Sequence, residues 1–475
     1  MIDEYIEKDI LRQIKVIEYL FELKEINVRK VAELQNVSSM TIKRDIEKIL
    51  SLDFRIQLLK ETSMYVTVHF QSGITRYELV RKLYSQSHFL RICILYLQGE
   101  RNYLKISEQE HISVAKVFSL KKKVEEFFKN MGGMTEEGKF VKDEFQYRLL
   151  VLNIWMRIEE VETKVDQRIY RQAQKIVQDI SKIFLNELNF RENHFFTLNV
   201  YLSLQRKHKK IKNPKSGMKY LFKESEFKKI ETILEPYQLP RNEIAYLTIM
   251  YRLLNHNLTN YHYLQIEYHQ LRTKYSYDFP EIVTLIHRFE KVFQRQLMKE
   301  MIFERALVSF LVDIFYNRSM YLVEKNNFID KPQRQLCLQV KQIMKEWSHE
   351  YDYQVYLDNR SIEKFCLQVN DMLVGKDITK IWNVFIVAEN EFSHMIYREW
   401  IQRRLNPISI IIDDKMHYSL ESLPVYLDNE NSVIICERTL VNFPFEKYKE
   451  TKLFPVSLFS MNSDLQQFFI HIFNE

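Results

Sequence analysis

The first 213 residues of this 475-residue chain contain no proline. Proline breaks a helix because its ring removes a backbone donor and clashes with the preceding turn, so this stretch can form uninterrupted helices. Apolar residues recur in it at helical spacing, and segments rich in Phe, Tyr, Leu and Lys continue to about residue 375. The chain is therefore predicted to be mainly α-helical up to this point.

From about Ile381 the pattern changes to short apolar runs rich in β-branched residues. Four runs are typical of buried strands: 382–389, 408–414, 432–437 and 454–459. Amphipathic segments of helical length, residues 391–405 and 462–473, lie after the first and last of them. Strands that alternate with helices predict a small C-terminal α/β domain with a largely parallel sheet.

Composition limits the chemistry that the chain can perform. Its seven glycines cannot build GxGxxG, GxxxxGK[ST] or GxSxG, and no HExxH is present. Four widely spaced cysteines form no CxxC pair: Cys93, Cys337, Cys366 and Cys436. We therefore expect no enzyme activity, no cofactor, no metal and only reduced, buried thiols.

Charge and hydropathy bear on location and partners. The sequence is charged from its third residue, and no apolar run approaches the ~20 residues that span a bilayer, so a cytoplasmic protein without a membrane segment is expected. The net charge of +6 is too small to indicate nucleic-acid binding by itself. The position of the charges is therefore more informative than their sum.

Residues 28–50 carry the spacing of a helix-turn-helix motif. Such a motif needs a small residue at the helix crossing, a residue that tolerates positive φ four positions later, an apolar residue next, and another apolar residue five positions on. The residues at these positions are Ala32, Asn36, Val37 and Ile42. Residues 9–23 supply a third helix, and residues 54–60 and 64–70 predict the hairpin of a wing.

The second helix of this motif presents one apolar and one polar face. Ser38 or Ser39 can cap it, and Ile42, Ile46 and Ile49 are predicted to face inward with Leu50. The residues predicted to face the major groove of DNA are Ser39, Met40, Lys43 and Arg44.

A second motif follows in residues 103–128. Ser107, His111, Ile112 and Val117 repeat the spacing, after a predicted scaffold helix at residues 89–99. The predicted DNA-facing residues are Lys116, Ser119, Lys122 and Lys123, since lysines so placed suit phosphate contacts. Three of the seven glycines in residues 131–140 predict a second wing.

This layout resembles the Mga-type virulence regulators of Gram-positive bacteria, which include the anthrax toxin activator. The residues that carry the resemblance are the two motifs, residues 194–206, residues 242–250 and the α/β tail. It implies a multidomain, mainly α fold of tandem winged helix-turn-helix domains, two helical-bundle regulation domains and an α/β domain like an enzyme II B component. The predicted boundaries are 1–72, 73–160, 161–262, 263–378 and 379–475.

The resemblance also implies regulation by histidine phosphorylation from the sugar phosphotransferase system. His194 matches the first histidine position, whereas Met250 and Asn370 stand where histidines are expected. His194 therefore is the phosphorylation candidate, with Arg191 and a helix N-terminus expected beside it and the phosphocarrier protein as the implied partner. The alternative is a structural histidine that packs or caps a helix.

In the tail, the loop of residues 388–391 lacks the cysteine of an active B component. Cys436 falls in a predicted strand, so its expected role is core packing. The resemblance implies that this tail contributes to a homodimer.

The function predicted from the sequence is a DNA-binding transcription regulator, an activator of virulence or carbohydrate-responsive genes that binds double-stranded promoter DNA. The alternatives are an RNA-binding antiterminator, a phosphotransferase component, and a protein scaffold whose modules do not touch DNA.

Overall fold

The chain forms two compact units, Met1–Leu373 and Val374–Glu475. The first is mainly helical, and the second is an α/β unit. The computed structural model describes residues 2–135, 143–159, 165–211, 222, 224–255, 257–258, 260–329, 331–374, 382–404, 410–424, 427, 431–441 and 451–474.

The first module combines three helices with a small antiparallel sheet. Its helices are α1 (Lys8–Leu23), α2 (Val28–Gln35) and α3 (Ser39–Leu52), and its strands are β1 (Glu25–Asn27), β2 (Ile56–Glu61) and β3 (Tyr65–Phe70). Strand β3 lies in the centre and pairs with both others. The β2–β3 hairpin confirms the wing that the sequence predicts.

The second module begins with a helix that the sequence analysis did not predict. Its helices are α4 (Arg76–Tyr84), α5 (His88–Leu97), α6 (Tyr103–Glu110), α7 (Val114–Asn130) and α8 (Glu144–Trp155). Helix α4 packs against α1 and buries Leu79, Val80 and Leu83. The predicted second wing is described only to residue 135, and its remainder lies outside the described residues.

Two groups of helices follow. The first group contains α9 (Gln167–Phe184), α10 (Phe190–Gln205), α11 (Ser225–Leu234) and α12 (Arg241–Arg252), with the short strands β4 (Asn186–Glu187) and β5 (Asn257–Leu258). The second contains α13 (Tyr261–Asp278), α14 (Pro280–Phe293), α15 (Met301–Phe315), α16 (Arg318–Tyr321), α17 (Lys331–Glu350) and α18 (Asn359–Leu373). The first group shares a hydrophobic core with both helix-turn-helix modules, and this core also includes Tyr321 of α16, whereas the other helices of the second group have their own core. The boundaries within this unit therefore remain predictions.

A connector of residues 322–329, between α16 and α17, contacts the first module. The Glu18 carboxylate of α1 is fully buried, and it accepts hydrogen bonds from the backbone N and side-chain Nδ2 of Asn326 at 2.9 and 2.6 Å. Arg76 donates both to Glu18 and to the carbonyl of Val323, each at 3.1 Å. Because a buried carboxylate is costly without partners, these bonds fix the connector against α1.

The α/β unit contains a parallel four-stranded sheet. Its elements are β6 (Trp382–Val387), α19 (Glu391–Arg404), β7 (Ile410–Ile412), β8 (Ser432–Glu437), β9 (Lys452–Val456) and α20 (Met461–Asn474). The strand order is β7-β6-β8-β9, and every pair is parallel, as predicted. Strand β9 ends earlier than predicted, because Ser457 N bonds to the Asp464 carboxylate at the start of α20. Cys436 is fully buried, and burial raises the pKa of its thiol to about 12, which confirms its predicted place in the core.

Candidate nucleic-acid interface

The turn of the first module has the backbone geometry that its spacing predicts. Asn36 ends α2 at φ 51°, and its N–H donates to the carbonyls of Ala32 and Glu33. Ser38 then caps α3, since its Oγ accepts a hydrogen bond from Thr41 N at 3.2 Å. Ala32 is buried where the two helices cross. Residues 28–52 therefore form a helix-turn-helix.

Asn36 provides a test of this turn. Asn36→Val should destabilise the chain by about 1–2 kcal/mol, because a β-branched residue pays the full cost of left-handed geometry. Asn36→Gly should change stability by less than about 0.5 kcal/mol, because glycine adopts positive φ freely. Thermal unfolding of the full chain measures both variants, with Glu33→Val on the exposed face of α2 as the control. Equal costs for Val and Gly would contradict the geometry.

The orientation of α3 is fixed from its inward face. Ile42, Ile46 and Ile49 are buried, as predicted. On the same face, buried Asp45 accepts hydrogen bonds from Arg12 Nε at 2.5 Å and from Gln13 Nε2 at 3.2 Å. These contacts attach α3 to α1, so the opposite face is held toward solvent.

The predicted DNA-facing residues of α3 are not equivalent in the structure. Ser39, Met40 and Arg44 are exposed near its first turns. Lys43 is half-buried, and its Nζ contacts Glu61 Oε1 of the wing at 3.1 Å. A lysine that is paired with a carboxylate brings less net charge to a DNA phosphate. In the structure, Lys43 connects the recognition helix α3 to the wing.

The second module repeats this geometry. His111 ends α6 at φ 53°, although histidine is less common there than glycine or asparagine. Ser107 Oγ donates to the carbonyl of Ile112 at 2.6 Å, which closes the turn. Ser113 caps α7 by accepting from Lys116 N at 3.3 Å. Val117 is among the inward residues of α7 that are buried as predicted, together with Leu120, Val124 and Phe127.

The basic residues of α7 fall into two groups. Lys116, Ser119, Lys122 and Lys123 are exposed on its outward face. Lys121 is turned aside: its Nζ donates to the carbonyl of Arg101 at 3.3 Å and lies 4.0 Å from the ring centroid of Tyr103. The outward face therefore contains two of the three consecutive lysines.

Sequence reasoning missed two apolar residues of the same outward face. Phe118 is 63% exposed and Val114 is 45% exposed. The position of Phe118 was enough to predict its exposure, because it follows the inward-facing Val117 and adjacent residues point about 100° apart on a helix.

The N-terminal segment holds the two modules together. The Tyr5 ring packs against Phe89 and Phe127 of the second module, with centroids 5.7 and 5.5 Å apart. Glu7 accepts hydrogen bonds from Ser87 Oγ and Phe89 N at 2.5 and 3.2 Å. The two recognition helices, α3 and α7, thus belong to one packed body.

The phosphorylation candidate His194 lies away from this interface, one turn inside α10. The helix begins four residues earlier at Phe190, with Asn189 as its cap, so the expected place at a helix N-terminus is corrected. His194 is 5% exposed, and its Nδ1 lies 3.4 Å from Tyr170 Oη. Arg191 is engaged by Glu324 Oε2 at 2.9 Å and by the carbonyl of Val323. Burial, reinforced by the charge of Arg81, holds the pKa of His194 well below its usual value of 6.5.

This lowered pKa predicts a pH dependence of stability. Below pH 6.5 the unfolded chain protonates this histidine while the folded chain does not, so stability falls as the pH decreases. The loss from this residue approaches about 1.4 kcal/mol per pH unit. His194→Gln should flatten that dependence in denaturant titrations, whereas His262→Gln on the exposed face of α13 should not. An unchanged slope for His194→Gln would contradict the assignment.

Among the described residues, no group of three His, Cys, Asp or Glu side chains is placed to hold a metal ion. None of the described helices combines the length and apolar character that crossing a membrane requires.

Asn370 and Met250 occupy two of the positions where the resemblance expects histidines. Asn370 donates to Asp371, and Met250 is buried in the core, so neither position offers an imidazole.

Comparison with known families assigns the first module to a helix-turn-helix domain family. Residues 7–63, from the start of α1 into the wing, match the family described as the M protein trans-acting positive regulator (MGA) helix-turn-helix domain. No curated protein matches the chain. Residues 7–63 therefore form a helix-turn-helix domain of the Mga type, and this domain supports a DNA-binding transcription regulator.

Proposed function

We propose that this regulator binds double-stranded promoter DNA through both recognition helices, α3 and α7. The observation that carries the proposal is the pairing of two capped helices with exposed polar faces in one packed body. Ser39, Met40 and Arg44 are proposed to read bases, because short polar and forked side chains at the start of a recognition helix reach the major groove. Lys116, Ser119, Lys122 and Lys123 are proposed to contact phosphates and the adjoining groove.

The test is a filter-binding titration of the full chain against duplexes selected from a random library, at two salt concentrations. Binding should weaken steeply with salt, because each phosphate contact releases condensed counterions. Arg44→Ala should change the preference among selected sequences, and Glu47→Ala on the same helix serves as the control. No duplex binding at low salt would refute the proposal and favour a protein scaffold.

The RNA-binding alternative would need a small β-rich domain at the N-terminus. The described N-terminal segment is instead a three-helix core with a wing. A phosphotransferase component would need a thiolate after β6, where residues 388–391 carry none. Neither alternative therefore has an observation in its favour.

We further propose that the α/β unit contributes to a homodimer. Two DNA-binding units on one duplex raise the effective concentration of the second contact, so removal of residues 374–475 should reduce promoter affinity. Sedimentation of the truncated and full chains measures the change directly. An unchanged oligomeric state after truncation would place the interface in the helical unit.

Phosphorylation by the phosphocarrier protein is proposed only at His194, among the matched positions. Burial keeps this imidazole neutral and therefore nucleophilic, but it also requires α10 to open before a carrier protein can reach it. Mass spectrometry after incubation with the phosphocarrier protein and its kinase tests the proposal. Label on another histidine, or no label, would favour a structural histidine.

A further inference from the structure

The outward face of α7 is not only basic, because it also carries two exposed apolar side chains. Phe118 and Val114 lie near the start of the helix at 63% and 45% exposure, and the exposed Ser119 follows Phe118. An aromatic ring exposed to water is unfavourable, but single exposed rings are nevertheless common on protein surfaces. Here the ring lies in the first turns of a recognition helix, the part that enters the groove in proteins of this architecture.

The Phe118 ring is also held in place. It stacks on Tyr103, with centroids 5.9 Å apart and an interplanar angle of 23°. Tyr103 is the first residue of α6, which Asn102 caps, and its ring also receives the Lys121 ammonium at 4.0 Å. A side chain that is ordered before binding loses less conformational freedom when it makes a contact.

From this arrangement we infer that Phe118, with Val114, reads thymine through its 5-methyl group in the major groove. This inference rests on the proposed DNA-binding function and adds a base preference to it. The major groove exposes one apolar group among its edges, the C5-methyl of thymine, and apolar side chains on recognition helices contact it. The flanking Lys116 and Lys122 bring the duplex to this face, since their charges complement the phosphates on either side of the groove.

The two recognition helices then read different chemistry. Helix α3 presents Ser39, which donates and accepts hydrogen bonds, and Arg44, which donates them, around the exposed Met40. Helix α7 presents an exposed aromatic and an exposed aliphatic side chain together with exposed lysines. The half of the site bound by α7 should therefore be defined by thymines more than by guanines.

The experiment compares two forms of one duplex. A sequence selected by the full chain from a random library is prepared with thymidine and again with deoxyuridine, which lacks only the 5-methyl group. The deoxyuridine duplex should bind about fourfold more weakly for each buried methyl that is lost. Phe118→Ala should bind the thymidine duplex about tenfold more weakly and should lose most of the discrimination between the two forms.

Leu104→Ala is the matched control, because Leu104 is 69% exposed on α6 and lies outside the recognition helix. It should keep both the affinity and the discrimination of the unchanged chain. Far-UV circular dichroism verifies that both variants are folded, as expected for exposed positions.

Each outcome has one meaning. Equal binding of both duplexes by the unchanged chain, or unchanged discrimination in Phe118→Ala, would overturn the inference and leave the DNA-binding proposal intact. Loss of both affinity and discrimination in Leu104→Ala would also overturn it, because an exposed apolar side chain outside the recognition helix would then have the same effect as Phe118. Failure of the unchanged chain to bind any duplex would refute the DNA-binding proposal itself.

Discussion

Replacing Arg148 with Met is expected to lower the free energy of unfolding by about 3–5 kcal/mol, because it leaves the buried carboxylate of Glu243 without its cation. Arg148 lies in α8 and is fully buried. Its guanidinium donates to both oxygens of Glu243 at 2.7 and 3.0 Å and to Glu144 Oε1 at 2.9 Å. Glu243 belongs to α12, so this one side chain joins the second module to the first helical group.

The charges continue beyond this pair. Arg206, just after α10, donates to both oxygens of Glu144 at 2.6 and 2.8 Å. Burial raises the pKa of Glu243, whereas Arg206 and Arg148 overcome the effect of burial and lower the pKa of Glu144. Removing Arg148 therefore leaves the charge of Glu243 unpaired, whereas Glu144 keeps Arg206 as its partner.

Denaturant titration of the full chain measures the total cost, and hydrogen exchange in α8 and α12 locates it. Arg148→Met with Glu243→Gln should recover part of the loss, because no charge is then left unpaired. Arg29→Met is the control, since Arg29 and Glu33 form an exposed ion pair that contributes at most about 1 kcal/mol. A cost for Arg148→Met no larger than that of the control would contradict the prediction.

Replacing both Lys122 and Lys123 with Ala should weaken DNA binding for all sequences and reduce its salt dependence. Each phosphate contact contributes about −0.9 to the slope of log affinity against log salt. Loss of both lysines should therefore make the slope less steep by about 1.8 for each bound chain. The effect on affinity is largest at low salt, where counterion release is most favourable.

Filter binding across a salt series measures this slope. Lys175→Ala with Lys182→Ala on the exposed face of α9 removes the same charge away from the recognition helices and is the control. A similar loss of slope in the control would mean that net charge, and not the face of α7, determines the binding.

Local contacts explain what could be predicted from the sequence. The turns at Asn36 and His111, the cap at Ser38 and the inward faces of α3 and α7 depend on residues close together in the sequence. The parallel sheet of the tail was likewise predicted from short apolar runs separated by helices. These features follow from backbone geometry and hydrophobic periodicity, which the sequence encodes directly.

Partners that are distant in the sequence explain what could not be predicted. Lys43 meets Glu61 across the wing, and Lys121 turns toward Arg101, although both lysines carry the pattern of an open basic face. His194 begins the matched motif, yet packing beside Tyr170 buries it one turn inside α10.

The sequence by itself determined the two helix-turn-helix motifs, the helical middle and the α/β tail of this protein. The tertiary structure decided which side chains are free for a ligand. Arg148 illustrates the difference, since its partner Glu243 lies 95 residues away and no local pattern connects them. Periodicity fixes which face of a helix is buried, but only the packing of distant elements fixes which charged groups meet, because that depends on topology and not on spacing.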